Sequence, residues 1–417
     1  MIMEINLANS AFVIMSTAFV FLMTPGLALF YSGMERRKNT LNTLMSCFFI
    51  CGVGSLLWII VGYSLSFGTD HGGVIGDLSH VFFNGVDADP NAAYSSTIPE
   101  TLFAAFQMMF AIITPALICG SIAGRMRFKA LFIFIICWSV IVYYPLAHMV
   151  WGDGGYLRAI GSIDFAGGNV VHISSGISGL IACIMLGKRR EYGVVSYKPH
   201  NIPVVILGAG LLWFGWFGFN GGSALAADGL AVHAILTTNT SAATALISWL
   251  VLERVIHGKA TVLGAATGAV VGLVAITPGA GFVPIWASII IGALVSPICY
   301  FTMTKVKAKF GYDDALDAFG CHGIGGIWGG IATGLFTQKS INSVAQWDGL
   351  VFGNTKLFIV QIVSIVITIA FAAIGTFIIL FVMKKFMAVR VTKEEEALGL
   401  DLTQHSELAY PSFNGLD

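Results

Sequence analysis

Eleven apolar stretches, each long enough to cross a lipid bilayer as a helix, recur along the chain. A backbone in hydrocarbon must satisfy its own hydrogen bonds, so stretches of this length and composition are expected to be helices. Only 11% of the residues are charged, against about 25% in soluble domains. The sequence therefore predicts an all-α integral membrane protein with eleven transmembrane helices, at about 8–31, 40–67, 99–123, 128–150, 166–187, 202–222, 230–252, 260–277, 283–304, 315–336 and 352–383.

The distribution of basic residues predicts the orientation of these helices. Of the 22 lysines and arginines, all but Arg158, Lys339 and Lys356 fall in alternate connections or in the C-terminal tail. Cytoplasmic connections carry the excess of basic residues in membrane proteins. The N-terminus is thus predicted outside and the C-terminus in the cytoplasm, and the first stretch is interpreted as a retained span rather than a cleaved signal peptide.

The charge balance and the cysteines exclude some classes of function. The formal net charge is zero, which gives no support for binding nucleic acid. All seven cysteines fall in apolar stretches and none forms a Cys-x-x-Cys pair, so they are interpreted as small apolar helix residues.

An internal repeat is predicted from the order of the spans. Spans 1–5, at about 8–187, pair with spans 6–10, at about 202–336, and the odd number inverts the second half across the membrane. The predicted domains are a transporter domain at 1–387, which includes the eleventh span at 352–383, and a cytoplasmic regulatory tail at 388–417.

Two matched segments carry the strongest functional signal. Asp164 precedes His172 by eight residues in span 5, and Asp314 precedes His322 by eight in span 10. Eight helical residues rise about 12 Å, so histidines entering from opposite faces are expected to meet near the middle of the membrane. Ionisable residues at that depth are costly and indicate function. The alternative is a pair of unrelated buried histidines.

The acids and the aromatic residues have both structural and functional interpretations. Asp164 and Asp314 are expected to cap helix N-termini, whereas Asp313 and Asp317 are interpreted as solvated or packing neighbours. An aromatic face can hold an ammonium-like cation. The candidates for such a face are Phe106, Phe110, Trp151 and Phe219, with Ser223 one turn beyond Phe219; singly, each aromatic is also typical of a lipid-facing or interfacial residue.

Together these residues resemble the Amt/Mep/Rh family of ammonium transporters, and the prokaryotic Amt branch in particular. The resemblance covers nearly the whole chain. It rests on Pro25-Gly26-Leu27-Ala28-Leu29-Phe30-Tyr31, Asp164-Phe165-Ala166-Gly167-Gly168 with Val170-Val171-His172, Gly215-Trp216-Phe217-Gly218-Phe219-Asn220, and Asp313-Asp314-Ala315-Leu316-Asp317 leading to His322-Gly323. Asp153 departs from the glycine-rich, uncharged turn that the family usually has after the tryptophan.

The resemblance implies a homotrimer in the cell membrane, with one pore per subunit. It also implies that the protein is not an enzyme and needs no cofactor. Its substrates would be ammonium or ammonia, and methylammonium. The C-terminal tail would engage a PII-type signalling protein. The resemblance implies an outer site that recruits the cation, formed by Trp151, Phe110 and Ser223, with Phe106 lining the same region and Asp164 as a structural acid beside it. It implies a phenyl gate formed by Phe110 and Phe219. It also implies a proton relay in the pore, formed by His172 and His322.

Transport by deprotonation is the mechanism that the magnitudes favour. An unpaired small cation in hydrocarbon costs on the order of 20 kcal/mol by an idealised Born estimate, while a cation–π contact contributes about 0.5–2 kcal/mol. Other functions remain open: an ammonium sensor with secondary transport, a redox subunit whose two histidines ligate haem, and a potassium channel, although no TVGYG-like filter is present.

Overall fold

The computed structural model describes residues 4–195 and 197–410, and most of these residues lie in helices. Eleven helices correspond to the predicted stretches. They are α1 (Leu7–Met34), α2 (Arg37–Phe67), α3 (Glu100–Ile122), α4 (128–151), α5 (Gly168–Leu186), α6 (Ile202–Ala224), α7 (Gly229–His257), α8 (Val262–Ile276), α9 (Ile285–Phe310), α10 (319–336) and α11 (Thr355–Phe386).

Smaller elements lie at the two ends of the helices. Two antiparallel hairpins, β1 (Asp70–His71) with β2 (Ile75–Gly76) and β3 (Pro90–Asn91) with β4 (Ser95–Pro99), form the long segment between α2 and α3. The tail adds α12 (Lys393–Leu398) and α13 (Leu400–His405) at the other end. Below, "outer" and "cytoplasmic" denote the sides predicted from charge.

The predicted all-α membrane class is confirmed. Within the described residues, nine helices are long and apolar enough to cross a membrane. The other two candidates are α8, which has only 15 residues, and α10, whose many glycines lower its hydropathy. Large apolar side chains such as Val251, Ile374 and Phe377 are exposed on the helix surfaces, as a lipid-facing surface requires. The count of eleven crossings stays a prediction.

Side-chain caps explain where several helices begin. Asn6 accepts a hydrogen bond from the Asn9 amide at the start of α1, and Asp228 accepts from Leu230 and Ala231 at the start of α7. Thr261 caps α8 in the same way. Such side chains satisfy N–H groups that lack a partner in the first helical turn.

The helix contacts follow the predicted inverted repeat. In the first half α1 contacts α2 and α3, α2 contacts α3, and α3 contacts α5; in the second half α6 contacts α7 and α8, α7 contacts α8, and α8 contacts α10. The two halves meet through α1 against α6 and α5 against α10. Equivalent helices therefore have equivalent neighbours, and the two histidine helices lie side by side.

Glycines allow the two halves to approach this closely. A Cβ atom added at Gly176 of α5 would lie 2.2 Å from the backbone nitrogen of Gly323 in α10, and one added at Gly208 of α6 would lie 2.3 Å from the backbone nitrogen of Phe30 in α1. Real Cβ contacts are never this short, so at both places only glycine fits.

Of the two interpretations of Asp313, a solvated or a packing neighbour, the structure agrees with packing, because its carboxylate is fully buried. It pairs with Arg189 at 2.8 Å and with Arg125 at 3.5 Å. These residues lie after α3, after α5 and before α10, so the cluster joins three connections on the cytoplasmic side. Burial by itself raises the pKa of the Asp313 carboxyl, but the hydrogen bond and charge of Arg189 and the charge of Arg125 outweigh it and lower the pKa below its ordinary value.

The tail folds back onto the cytoplasmic side. Glu395 pairs with Arg127 at 2.8 Å, and the Asp401 carboxylate accepts from the Asn42 amide at 2.8 Å near the start of α2. The tail up to Tyr410 thus contacts the membrane domain in the described chain. The division of the chain at residue 387 stays a prediction.

Candidate functional site

The imidazoles of His172 and His322 lie next to each other in the interior. Their ring centroids are 5.4 Å apart and the ring planes differ by 19°. Both residues are buried, and both nitrogens of His172 and the Nδ1 of His322 have no hydrogen-bond partner within the described residues. Buried polar atoms almost always have a partner, so these unpaired nitrogens mark a candidate site for a small polar ligand.

Each histidine lies in a π-helical turn that an aspartate holds in place. The Asp164 carboxylate accepts hydrogen bonds from four consecutive amides, residues 167 to 170, at 2.6–3.2 Å. The Asp314 carboxylate accepts from residues 318, 319 and 320 at 2.8–3.4 Å. The π-helical turns span Gly168–Ile173 and Phe319–Gly323. The matched acid-to-histidine spacing therefore reflects one local structure used twice.

A series of aromatic rings leads from the outer surface to His172. The Trp151 and Phe110 centroids are 6.0 Å apart, the Phe110 and Phe219 centroids 4.4 Å, and the Phe219 and His172 centroids 6.1 Å. The rings come from α4, α3, α6 and α5. Because Phe110 and Phe219 are in contact, no open channel passes between these two rings.

The outer end of the series is fixed by hydrogen bonds. The Trp151 indole N–H donates to the Asp164 carbonyl oxygen at 2.8 Å, so the residue that caps α5 also holds this tryptophan. The Ser223 hydroxyl donates to the Phe219 carbonyl at 2.8 Å. Because that bond uses its only hydrogen, the Ser223 oxygen can act only as an acceptor toward a further group.

Two cavities meet at this point. A cavity of about 580 Å³ is lined by Trp151, Asp164 and Ser223 together with the loop at 342–346. A second, of about 180 Å³, is lined by Phe106, Phe110, Trp151 and Ser223 among others. Aromatic faces and few polar groups are the environment in which an organic or ammonium-type cation binds.

The comparisons with known proteins agree on one family. The model of the Ammonium Transporter Family matches residues 11–410. The ammonium transporter of Bacillus subtilis (strain 168) is 51% identical over 405 residues, which cover 97% of this chain and 99% of that protein. This chain belongs to the ammonium transporter family.

Solved structures of family members have the same fold. Mep2 of Candida albicans is 33% identical, with a TM-score of 0.88 over 97% of this chain and 91% of that one. A sensor Amt protein is 28% identical, with a TM-score of 0.86 over 95% of this chain and 98% of that one. As a member of this family, the chain is a multi-pass membrane protein.

For this family member, the structure places the residues singled out from the sequence in one continuous region. Trp151, Phe110 and Ser223 line a common cavity, and Phe106 lies 5.1 Å from Phe110 between ring centroids. Asp164 differs from the rest, because its carboxylate is used by backbone amides. No described residue of the set lies apart from the others.

Sequence reasoning missed other side chains in this region. Trp216 lies 5.5 Å from His172 between ring centroids, and its N–H donates to Thr277 at 2.9 Å. Trp216 lies three residues before Phe219, on the same helical face. This spacing could have identified Trp216 from the sequence. Gln107 and Arg158 line the smaller cavity as well, and no pattern in the sequence indicates this.

Proposed function

We propose that this protein transports ammonium by binding the cation at an outer aromatic site, removing a proton, and passing ammonia along the two histidines. The observation that carries the proposal is the unbroken series of rings from Trp151 to His322, which ends at buried nitrogens without partners. Family membership and the printed function of the Bacillus subtilis relative support ammonium as the substrate.

Recruitment is assigned to Trp151, Phe110 and Ser223. Two aromatic faces and one hydroxyl oxygen surround the cavity, and each can interact with a small cation. Phe106 extends this lining. Asp164 acts on the site indirectly, by holding the Trp151 indole and the start of α5.

Deprotonation follows from the contact between Phe110 and Phe219. These two rings separate the outer cavity from the histidines, and a charged ammonium ion between them would lose its water for cation–π contacts of about 0.5–2 kcal/mol each. The Born cost of on the order of 20 kcal/mol is far larger. Neutral ammonia avoids this cost, so the rings serve as a gate that admits ammonia when they move.

When the gate opens, His172 accepts the proton that ammonium gives up, and both histidines bind the ammonia that passes between the rings. The proton moves on through His322 toward the cytoplasmic side. A neutral imidazole has one nitrogen that donates a hydrogen bond and one that accepts, so it can take up a proton on one side and release one on the other. The ring centroids are 5.4 Å apart and the imidazoles share no direct hydrogen bond, so the proton passes between them through the bound ammonia. The relay makes the net event charge-moving.

The assembly proposed with this mechanism is a homotrimer in the cell membrane, one pore per subunit, that also carries methylammonium. The tail at 388–417 is proposed to regulate transport by engaging a PII-type protein. Native mass spectrometry tests the trimer, and co-purification of the full chain with a PII protein tests the partner.

The deciding experiment is the transient current of proteoliposomes after an ammonium jump, with an equal potassium jump as the reference. The wild type is expected to give current with ammonium only. His172→Ala and His322→Ala are each expected to abolish it. His257→Ala is a matched control, because His257 is exposed at the end of α7 and bonds only Tyr300 in the described chain.

The outcomes separate the mechanisms. Undiminished current in both pore variants contradicts the relay, and current with potassium contradicts the selectivity. Absence of wild-type current, with folded protein, leaves electroneutral ammonia conduction or a sensor, which an internal pH probe distinguishes. The sensor remains the second candidate because a solved sensor Amt protein shares the fold.

The haem alternative has no support from the helix packing. Gly176, one turn beyond His172, brings α5 into backbone contact with α10 at Gly323, the residue directly after His322. A porphyrin between these helices would require them to separate. Purified protein with a haem absorption band would contradict this conclusion.

A further inference from the structure

A glutamine in the outer aromatic cavity has no role in the mechanism above. Gln107 lies on α3 between Phe106 and Phe110 and lines the cavity of about 180 Å³ that also contains Trp151 and Ser223. Its Oε1 atom is buried and has no hydrogen-bond donor within the described residues. A buried amide oxygen without a donor is destabilising, so its presence beside a binding cavity calls for a donor that arrives from outside.

None of the other polar side chains that line the cavity, Tyr94, Arg158 and Ser223, donates to this oxygen. The Ser223 hydroxyl already donates to the Phe219 carbonyl. Arg158 also lines the cavity, but its Nη1 donates to the Trp151 carbonyl at 2.9 Å. A guanidinium has donors only and is positively charged, so Arg158 repels a cation rather than binding it.

We infer that Gln107 is a substrate-binding residue whose Oε1 accepts a hydrogen bond from the N–H of ammonium at the outer site. The inference rests on the proposed transport function and deepens it. Aromatic faces attract any small cation by its charge, whereas an amide oxygen and a hydroxyl oxygen add directional acceptors. Gln107 and Ser223 together supply two oxygens to an ion that has four N–H groups.

This arrangement accounts for preference among cations. Potassium has no N–H group and gains only electrostatic attraction from the cavity. Ammonium and methylammonium both carry N–H groups and gain the hydrogen bonds as well. The class of ligand is therefore ammonium or a small primary alkylammonium ion, and Gln107 acts at capture, before the proton is removed.

The test measures ammonium-jump currents over a range of concentrations and separates apparent KM from maximal current. Gln107→Met keeps the length of the side chain and removes the acceptor, so KM is expected to rise about tenfold, equivalent to 1.4 kcal/mol. Maximal current is expected to stay close to wild type because the gate and the histidines are untouched. Gln107→Glu restores an oxygen acceptor and is expected to return KM to the wild-type value or below.

The matched control is Met108→Leu, a change at the next residue of α3, which does not line the cavity; it is expected to leave KM unchanged. Gln107→Leu provides a second apolar variant should Gln107→Met fail to fold. The inference is overturned if folded apolar variants keep KM within twofold of wild type, or if Gln107→Glu behaves as they do. Absence of current in the wild type, together with no response of an internal pH probe, would instead overturn the transport function itself.

Discussion

The outer start of α5 and the cytoplasmic start of α10 have the same local structure. Their surroundings differ, because open cavities lie beside α5 and a buried ion cluster lies beside α10. At both, an aspartate accepts hydrogen bonds from the amides of a π-helical turn that leads to a buried histidine. At the outer end, Asp164 caps α5, and its carbonyl oxygen also accepts a hydrogen bond from the Trp151 indole beside open cavities. At the cytoplasmic end, the neighbouring Asp313 is enclosed by Arg125 and Arg189.

This difference shows how two halves with the same local structure come to have different surroundings at the outer and cytoplasmic ends. The aspartate caps fix where the histidines lie, and this part is shared by the two halves. The connections, which are not shared, decide what surrounds each cap. One end therefore exposes aromatic faces and acceptor oxygens, while the other end is closed by a buried ion cluster that joins three connections.

The largest effect is expected from removing the caps. Asp164→Ala leaves four buried N–H groups without an acceptor and Asp314→Ala leaves three, at about 1–3 kcal/mol for each unpartnered group. We expect Asp164→Ala to lower stability by upwards of about 4 kcal/mol and to be the more damaging of the two. Thermal unfolding in detergent, followed by fluorescence, measures both. A greater loss in Asp314→Ala would contradict the ranking.

The cytoplasmic ion cluster should be the next most sensitive feature. Asp313→Asn leaves the buried Arg125 without an acid partner among the described residues and Arg189 with only the Glu35 carboxylate, 3.7 Å away. Breaking a buried ion pair costs about 3–5 kcal/mol. Glu395→Gln removes a partly exposed pair with Arg127 and is expected to cost less than about 1 kcal/mol. Comparing the Tm values of Asp313→Asn and Glu395→Gln tests whether burial determines how much an ion pair stabilises the protein. Equal shifts in Tm would show that burial does not.

The same cluster predicts a pH dependence. Because the folded protein lowers the pKa of Asp313, the stabilisation is fully present above the ordinary aspartate pKa of about 3.9. It is lost as pH falls through the lowered folded value. The Tm difference between wild type and Asp313→Asn should therefore be constant near neutral pH and shrink below about pH 4. A difference that grows on acidification would reverse the assigned sign.

The smallest effect concerns the contact between the two histidine helices. Gly176→Ala places a Cβ against the backbone of Gly323, and overpacking of this kind costs about 1–3 kcal/mol. Ammonium current should fall along with Tm, because the helices that carry the histidines are forced apart. Gly210→Ala is the control, since nothing lies within 4 Å of a Cβ there. Normal current in Gly176→Ala would show that the histidine spacing tolerates such a shift.

Local patterns in the sequence were sufficient for the helices and for much of the candidate site. Asp164 and His172, and likewise Asp314 and His322, lie eight residues apart, so their relation depends on one segment of chain each. The two interpretations of Asp313, solvated or packing, could not be separated from the sequence, for the opposite reason. Its partner Arg125 lies 188 residues away, and nothing near Asp313 in the sequence distinguishes a buried carboxylate from a solvated one.

The sequence by itself determined the membrane class and the helix positions, because backbone groups in hydrocarbon must form their hydrogen bonds within each span. It also determined the family, because the motifs that identify the family are runs of consecutive residues. Only the tertiary structure decided that Trp216 contacts His172, that Gln107 faces the aromatic cavity, and that the two histidine rings are nearly parallel. These relations join residues from different helices. They depend on which helix faces meet, and the close approach at Gly176 and Gly323 sets that geometry.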